Sequence, residues 1–218
     1  MLPRGEVLPL AKQKPGSLLF TVFFGILWIA AVAGGGRLLL NYETTPGEVG
    51  DVPQSWPSRS SVSLAPDRPT LVMIAHPQCP CTRASAAELA QLMARLPNRV
   101  RAFVLFYTPR DVAPDWQESD LRKTVAQISG ITVVSDIDGL EARRFGAETS
   151  GHTFLFDVSG RLLFNGGITA SRGHSGDNVG ESAIVSILNQ GRATRQTSVF
   201  GCSFHEQALG SKGALCLK

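Results

Sequence analysis

The stretch His76-Pro77-Gln78-Cys79-Pro80-Cys81-Thr82-Arg83 concentrates the chemistry of this chain. A cysteine acts as a nucleophile or a metal ligand when it is a thiolate, so its surroundings must lower its pKa. The flanking residues supply such surroundings. Pro69-Thr-Leu-Val-Met-Ile-Ala75 is apolar without polar alternation, the pattern of a strand buried on both faces. From Ala84 to Leu96, residues Leu89, Leu92, Met93 and Leu96 recur at helical spacing, with Ser85-x-x-Glu88 near the start. Cys79 and Cys81 thus fall at a strand-to-helix junction, on the first turn of a helix. There the unpaired N–H groups and the positive end of the helix dipole favour the thiolate.

The whole chain of 218 residues holds one ordinary domain plus an appendage. A net charge of +3 is mild, and no basic run or aromatic-basic interleaving points to nucleic acid. Four cysteines are too few for a disulfide scaffold in a chain this long; they form one tight pair, 79 and 81, and two late singletons, 202 and 216.

Residues 1–16 carry Arg4, Lys12 and Lys14 against Glu6 and read as a cytoplasmic N-terminal segment. Residues 17–36 hold no charge and would make a helix of about 30 Å, the thickness of a hydrocarbon core. We read 17–40 as a transmembrane anchor or signal segment, with Ala31-Val32-Ala33 as the small-x-small site that cleavage would need. Either way the following domain is on the exported side, periplasmic or extracellular, where cysteine pairs can stay oxidised. Residues 41–68, with Pro46, Pro53, Pro57 and Pro66, Gly47 and Gly50 and many serines, read as a linker that spaces the domain off the membrane. Trp56-Pro57 and Ser61-Val62-Ser63-Leu64 are its first candidates for docking on the domain.

The domain proper is expected over 69–192, with 193–218 a C-terminal extension. Its predicted order is strand, helix, strand, helix, strand, helix, strand, strand, helix. Val100–Tyr107 is a second buried strand, Asp115–Ile128 a helix, Ile131–Val134 a short strand and Gly139–Phe145 a short helix. Thr153–Phe156 and Arg161–Phe164 form a hairpin turning at Gly160, and Asp177 or Asn178 caps the last helix.

A βαβ half, then a hairpin and a helix, with cysteines at the first strand-to-helix turn, resembles a thioredoxin-like fold over residues 60–192. The expected class is therefore α/β: a central mixed sheet flanked by helices, behind one N-terminal transmembrane helix. More narrowly, Arg68–Ser85, Phe164–Thr169, Arg172–Asn178 and Val199-Phe-Gly-Cys202 resemble the membrane-anchored RedB-like proteins. Two features depart from thioredoxins. The pair is Cys-x-Cys rather than Cys-x-x-Cys, and Ser150-Gly151-His152-Thr153 stands where thioredoxins place a cis-proline. A Cys-x-Cys disulfide closes a small ring and should be easier to reduce than a relaxed one.

On this topology the first hairpin strand begins, and the second ends, at the sheet edge where the cysteine helix starts. His152 precedes the former, His174 follows the latter, and His76 sits three residues before Cys79, so three histidines are candidates for that edge. Twelve extended residues span up to roughly 40 Å, so the stretch 191–202 has the reach to return Cys202 to it. We read His76 as shaping the turn beside Pro77, Cys202 as a structural or semi-buried thiol and Cys216 as a tail residue. Arg83, Arg110 and Arg172 are read as surface charges, and Asp136 and Asp138 as turn residues without catalysis.

The sequence reading is thiol–disulfide exchange on an exported thiol or disulfide protein. Cys79 is the nucleophile, as the sulfur nearer the helix start is normally the better exposed, and Cys81 resolves. No organic cofactor is implied. The alternatives are a Cu(I)-binding chaperone or sensor on the same cysteines, with a histidine or Cys202 completing the site, and a redox-inactive interaction domain.

Overall fold

A computed structural model describes residues 15–110, 116 and 119–204. The chain divides into two compact units, one up to Tyr42 and one from Glu43 onward. In the first lies helix α1, Pro15–Thr44. Its Leu18–Thr44 portion is long and apolar enough to cross a membrane.

The second unit is built on a five-stranded mixed sheet. Its strands are β1 (Thr70–Ala75), β2 (Arg101–Thr108), β3 (Ile131–Ile137), β4 (Thr153–Phe156) and β5 (Leu162–Gly166), in the order β3-β2-β1-β4-β5. β1, β2 and β3 run parallel, while β4 is antiparallel to both β1 and β5. The helices are α2 (Pro80–Arg95), α3 (Asp120–Ala126), α4 (Leu140–Phe145) and α5 (Val179–Gln190).

Central strand β1 explains its own lack of alternation. Leu71, Met73 and Ala75 pack with Leu89 and Leu92 of α2 and Ile184 of α5. Val72 and Ile74 face the other way, onto Phe103, Phe145, Phe154 and Phe156. With both faces covered, every position must be apolar or small.

The element order matches the sequence reading, and the differences are at element ends. Helix α2 starts at Pro80, four residues before the predicted Ala84, because proline at the first helical position has the required φ and no N–H to leave unpaired. Helix α3 is capped by Ser119, whose side chain accepts the Arg122 N–H; predicted positions 115, 117 and 118 lie outside the described residues. Of the two candidate caps for α5, Asn178 is the one used: its Oδ1 accepts the Glu181 N–H at 2.7 Å.

The stretch expected to be a spacer is folded onto the domain. The Trp56 N–H donates to the Gly160 carbonyl at 2.7 Å, and its ring lies edge-on to Phe145 and Phe156 at 5.4 and 5.1 Å. Val62 and Ala65 are buried, and the Ser60 hydroxyl and Ser61 N–H donate to the Glu141 carboxylate at 2.7 and 3.0 Å. Proline and serine give it a linker's composition, but Val52, Trp56, Val62 and Leu64 pack against the aromatic face of the sheet. Part of the C-terminal extension docks too: the Phe204 N–H donates to the Glu148 carbonyl at 2.9 Å.

Candidate active site

Cys79 is the N-cap residue of α2 and Cys81 its second helical residue, the placement predicted from the apolar periodicity. No side chain caps this helix, so its first N–H groups face the sulfurs. The turn before it is tied by the Cys79 N–H to the His76 carbonyl and by the Gln78 N–H to His76 Nδ1, at 3.3 and 3.2 Å. His76 therefore shapes this turn, as expected, and its ring packs edge-on to Trp116.

A third sulfur completes the cluster. Cys79, Cys81 and Cys202 pack together, and the Cys79 and Cys202 sulfurs are 2.7 Å apart. Cys79 and Cys81 are free thiols, whereas Cys202 is disulfide-bonded. This corrects the reading of Cys202 as a structural or semi-buried thiol: it is buried and not a thiol. Cys216 lies outside the described residues.

The route that brings Cys202 back runs along the end of the hairpin. Asn165 and Gly167 N–H groups donate to the Arg195 and Ser198 carbonyls, the Gly47 N–H to Val199, and the Ser150 N–H to Cys202 at 2.9 Å. Gly201 passes so close to Ser150 that a Cβ there would collide with the Ser150 carbonyl oxygen. The Arg172 guanidinium donates to the Gly201 carbonyl. Arg172 is thus a clamp on the returning segment, not the surface charge expected of it.

Electrostatics separate the two thiols. Cys79 is pushed down to about 6, chiefly by a hydrogen bond from the Cys81 thiol. Burial opposes, and the Thr82 hydroxyl with the Thr82 and Cys202 backbone N–H groups assists. Cys81 is pushed far up, by holding its proton for Cys79, by burial and by the neighbouring negative charge; Arg172 and the Gly173 N–H act the other way. Thr82 is in turn fixed by Ser150, their hydroxyl oxygens 2.7 Å apart.

Exposure, however, runs against expectation. Cys79 is 1% exposed and Cys81 7%, so the sulfur nearer the helix start is the better covered, because the 199–204 segment lies over it. The histidines do not set the thiol pKa values either. His152 is fully buried with its ring on Phe154 at 4.1 Å, and burial pushes it down to about 3. His174 is exposed on its loop. Among the described residues, no group of three or more Cys, His, Asp or Glu is arranged to hold a metal ion.

Thr82, Ser150 and Arg172 are the residues the sequence reading missed. Thr82 adjoins Cys81 on the helix's first turn, and Ser150 and Arg172 lie in the two loops already placed at this edge. Their positions were the available signal.

Strand order β3-β2-β1-β4-β5, with the pair at the β1–α2 turn and the Ser150–His152 loop facing it, decides the architecture. The fold is thioredoxin-like. Two solved structures agree at the level of fold. An uncharacterised conserved protein from Geobacillus kaustophilus is 20% identical, with a TM-score of 0.53, over 73% of this chain and 91% of that one. A hypothetical protein from Sinorhizobium meliloti is 19% identical, with a TM-score of 0.54, over 73% and 93%. A secreted Mycobacterium tuberculosis disulfide oxidoreductase is 16% identical over 56% and 81%, with a TM-score of 0.40. No family model matches the chain, and no curated protein does. The narrower resemblance to RedB-like proteins is not supported by these comparisons. Before β4, where thioredoxins carry a proline, this chain has Ser150-Gly151-His152, and the Ser150 N–H donates to the Cys202 carbonyl.

Proposed function

We propose that this is an exported, membrane-tethered thioredoxin-like protein that performs thiol–disulfide exchange, with Cys79 as nucleophile and Cys81 as resolving thiol. The observation that carries the reading is the asymmetry of the pair: a thiol held near 6 at a helix N-cap, beside a second thiol held protonated. At neutral pH about nine-tenths of a thiol with that pKa is ionised. In the reaction, the Cys79 thiolate attacks one sulfur of a substrate disulfide. A mixed disulfide forms and the other substrate sulfur leaves as a thiolate. Cys81 then loses its proton and attacks Cys79, forming the Cys79–Cys81 disulfide and releasing the second substrate sulfur. The substrate gains two electrons and the pair loses two; the reverse sequence oxidises a dithiol. The uncharged helix and the basic residues before it support an N-terminus in the cytoplasm and a domain outside. The partner class is an exported thiol or disulfide protein.

A Cu(I) carrier is the second reading, resting on two free thiols, Cys79 and Cys81, side by side at one helix start. One titration separates the two. The full chain in detergent is equilibrated in glutathione buffers, its thiols are alkylated, and the measurement is repeated with Cu(I). A reversible two-electron Cys79–Cys81 couple supports exchange. Absence of that couple, together with stoichiometric Cu(I) that protects both cysteines from alkylation, replaces exchange with copper binding.

A further inference from the structure

The Ser85-x-x-Glu88 pattern does not cap α2, which has already begun at Pro80, and Glu88 lies mid-helix with no exposure. Burying a carboxyl group is costly unless hydrogen bonds replace the water it loses. Both oxygens serve the loop between β5 and α5. Oε1 accepts the Gly176 N–H at 2.8 Å, and Oε2 accepts the Asn178 side-chain N–H at 3.0 Å. Asn178 in turn caps α5, so one carboxylate ties α2 to the loop and to the helix after it.

The loop so tied is the one that reaches Cys81: its Arg172 guanidinium and Gly173 N–H favour the Cys81 thiolate. Cys81 and Glu88 are seven residues apart on α2, two turns, and so share a face about 10.5 Å apart along the axis. Gly173 to Gly176 spans up to roughly 10 Å, so the loop runs along that face with one contact at each end. Residues 173–177 are exposed, with glycine at φ of 69° and 132° at positions 173 and 176. Their side chains are in solvent rather than packed, so the position of this turn rests on Glu88. While Cys79 is a thiolate, Cys81 is kept protonated first by its hydrogen bond to Cys79, then by burial and by that negative charge. Once Cys79 enters a mixed disulfide, the first and third of these are gone. Burial then opposes ionisation of Cys81, and Arg172 and the Gly173 N–H are left to favour it.

We propose that Glu88 is a positioning residue for the resolving step: by holding the 173–178 loop along α2, it keeps the Gly173 N–H and the Arg172 guanidinium on Cys81 while that thiol ionises and attacks Cys79. The proposal rests on the exchange reading above and adds to it what turns Cys81 from proton holder into nucleophile. In that step Cys81 gives its proton to solvent and the Cys81–Cys79 bond forms. The bond from Cys79 to the substrate sulfur breaks, and that sulfur leaves as a thiolate with the electron pair of the broken bond.

The test uses the full chain in detergent. Glu88→Gln keeps the shape but offers one acceptor oxygen where two are needed, and sets an amide donor against an N–H. The Cys79→Ser background lacks the Cys79 charge, as the mixed disulfide does. There Glu88→Gln should raise the midpoint of the Cys81 thiolate absorbance, taken as the difference from Cys79→Ser/Cys81→Ser, by about one pH unit, the effect of one hydrogen bond to a charged group. Cys79 is lowered by other groups, Cys81, Thr82 and the Cys202 N–H, so in the Cys81→Ser background its midpoint should stay where it is. Asn178→Ser is the second variant: serine still caps α5 but has no amide for Glu88 to hold, and it should move Cys81 in the same direction. An unchanged Cys81 midpoint with Glu88→Gln, or with Asn178→Ser where Glu88→Gln does not fold, overturns the proposal. An equal rise at Cys79 overturns it too, because that marks a general loosening of the site. In both cases a normal Cys79–Cys81 couple in the wild-type chain leaves the exchange function standing. Absence of that couple overturns the exchange reading and, with it, the assignment of Glu88 to the resolving step, whatever the midpoints show.

Discussion

The Ser150 backbone N–H donates to the Cys202 carbonyl at 2.9 Å, while the Ser150 hydroxyl lies 2.7 Å from Thr82 Oγ1 on the cysteine helix. One residue thus fixes both the segment that covers Cys79 and a hydroxyl that stabilises its thiolate. Cover and activation are mechanically joined at Ser150, and four predictions follow the forces through this joint and its supports.

Gly201→Ala should lift the cover. The added methyl collides with the Ser150 carbonyl, which is backbone and cannot swing aside, so residues 200–203 must move outward. Alkylation of Cys79 by a neutral maleimide should accelerate at least tenfold, with a stability loss of about 1–3 kcal/mol, the usual range for overpacking. Unchanged Cys79 reactivity would show that the segment does not control access.

Thr82→Val should raise the pKa of Cys79. The valine keeps the volume and loses the hydroxyl that hydrogen-bonds the thiolate. The midpoint of the Cys79 thiolate absorbance, taken as the difference from Cys79→Ser, should move from about 6 in the wild type to about 7 in the variant, the effect of one hydrogen bond to a charged group. The sign also fixes a stability trend. Because Cys79 is lower when folded than unfolded, its contribution is full above the unfolded thiol's pKa and is lost as pH falls through about 6. Thr82→Val should flatten that dependence.

Trp56→Ala tests whether the Pro- and Ser-rich stretch is part of the domain. The ring packs edge-on against Phe145 and Phe156, and its loss should cost about 2–4 kcal/mol in urea denaturation. A change under about 0.5 kcal/mol, the level of an ordinary surface substitution, would mean the stretch only rests on the surface.

This stretch shows where the sequence was readable and where it was not. β1 and α2 were legible because burial writes a period into them: Leu71–Ala75 unbroken, Leu89, Leu92 and Met93 at helical spacing. The position of Cys79 at the helix start followed from those two periods. Residues 47–65 and 195–204 have no such period. Both dock through backbone N–H groups, Gly47 to Val199 and Ser150 to Cys202, and a backbone hydrogen bond leaves no mark on residue type. For the same reason the return of Cys202 could be bounded by chain reach but not located, and the exposure of Cys79 was misjudged. Arg172 looked like a surface charge because its acceptor, the Gly201 carbonyl, belongs to that same unmarked segment.

His152 is a charge the fold will not accept. Its ring is fully buried against Phe154, and burial outweighs a hydrogen bond with Asn165 that favours the charged form. Burial lowers its pKa to about 3, against about 6.5 when unfolded. The folded state therefore holds the ring neutral while the unfolded chain protonates it. The sign follows: stability is full above about 6.5 and falls as pH drops from there towards 3, by about one proton's slope. At pH near 4.5 the loss is on the order of 2 kcal/mol. His152→Leu removes the titrating group while keeping an apolar volume on Phe154. It should be neutral or stabilising at pH 7 and abolish this part of the acid loss, measured by urea denaturation of the chain in detergent at both pH values. Equal acid sensitivity in the variant would place the titration elsewhere, and a large destabilisation at pH 7 would mean that the imidazole has a polar partner essential to the fold.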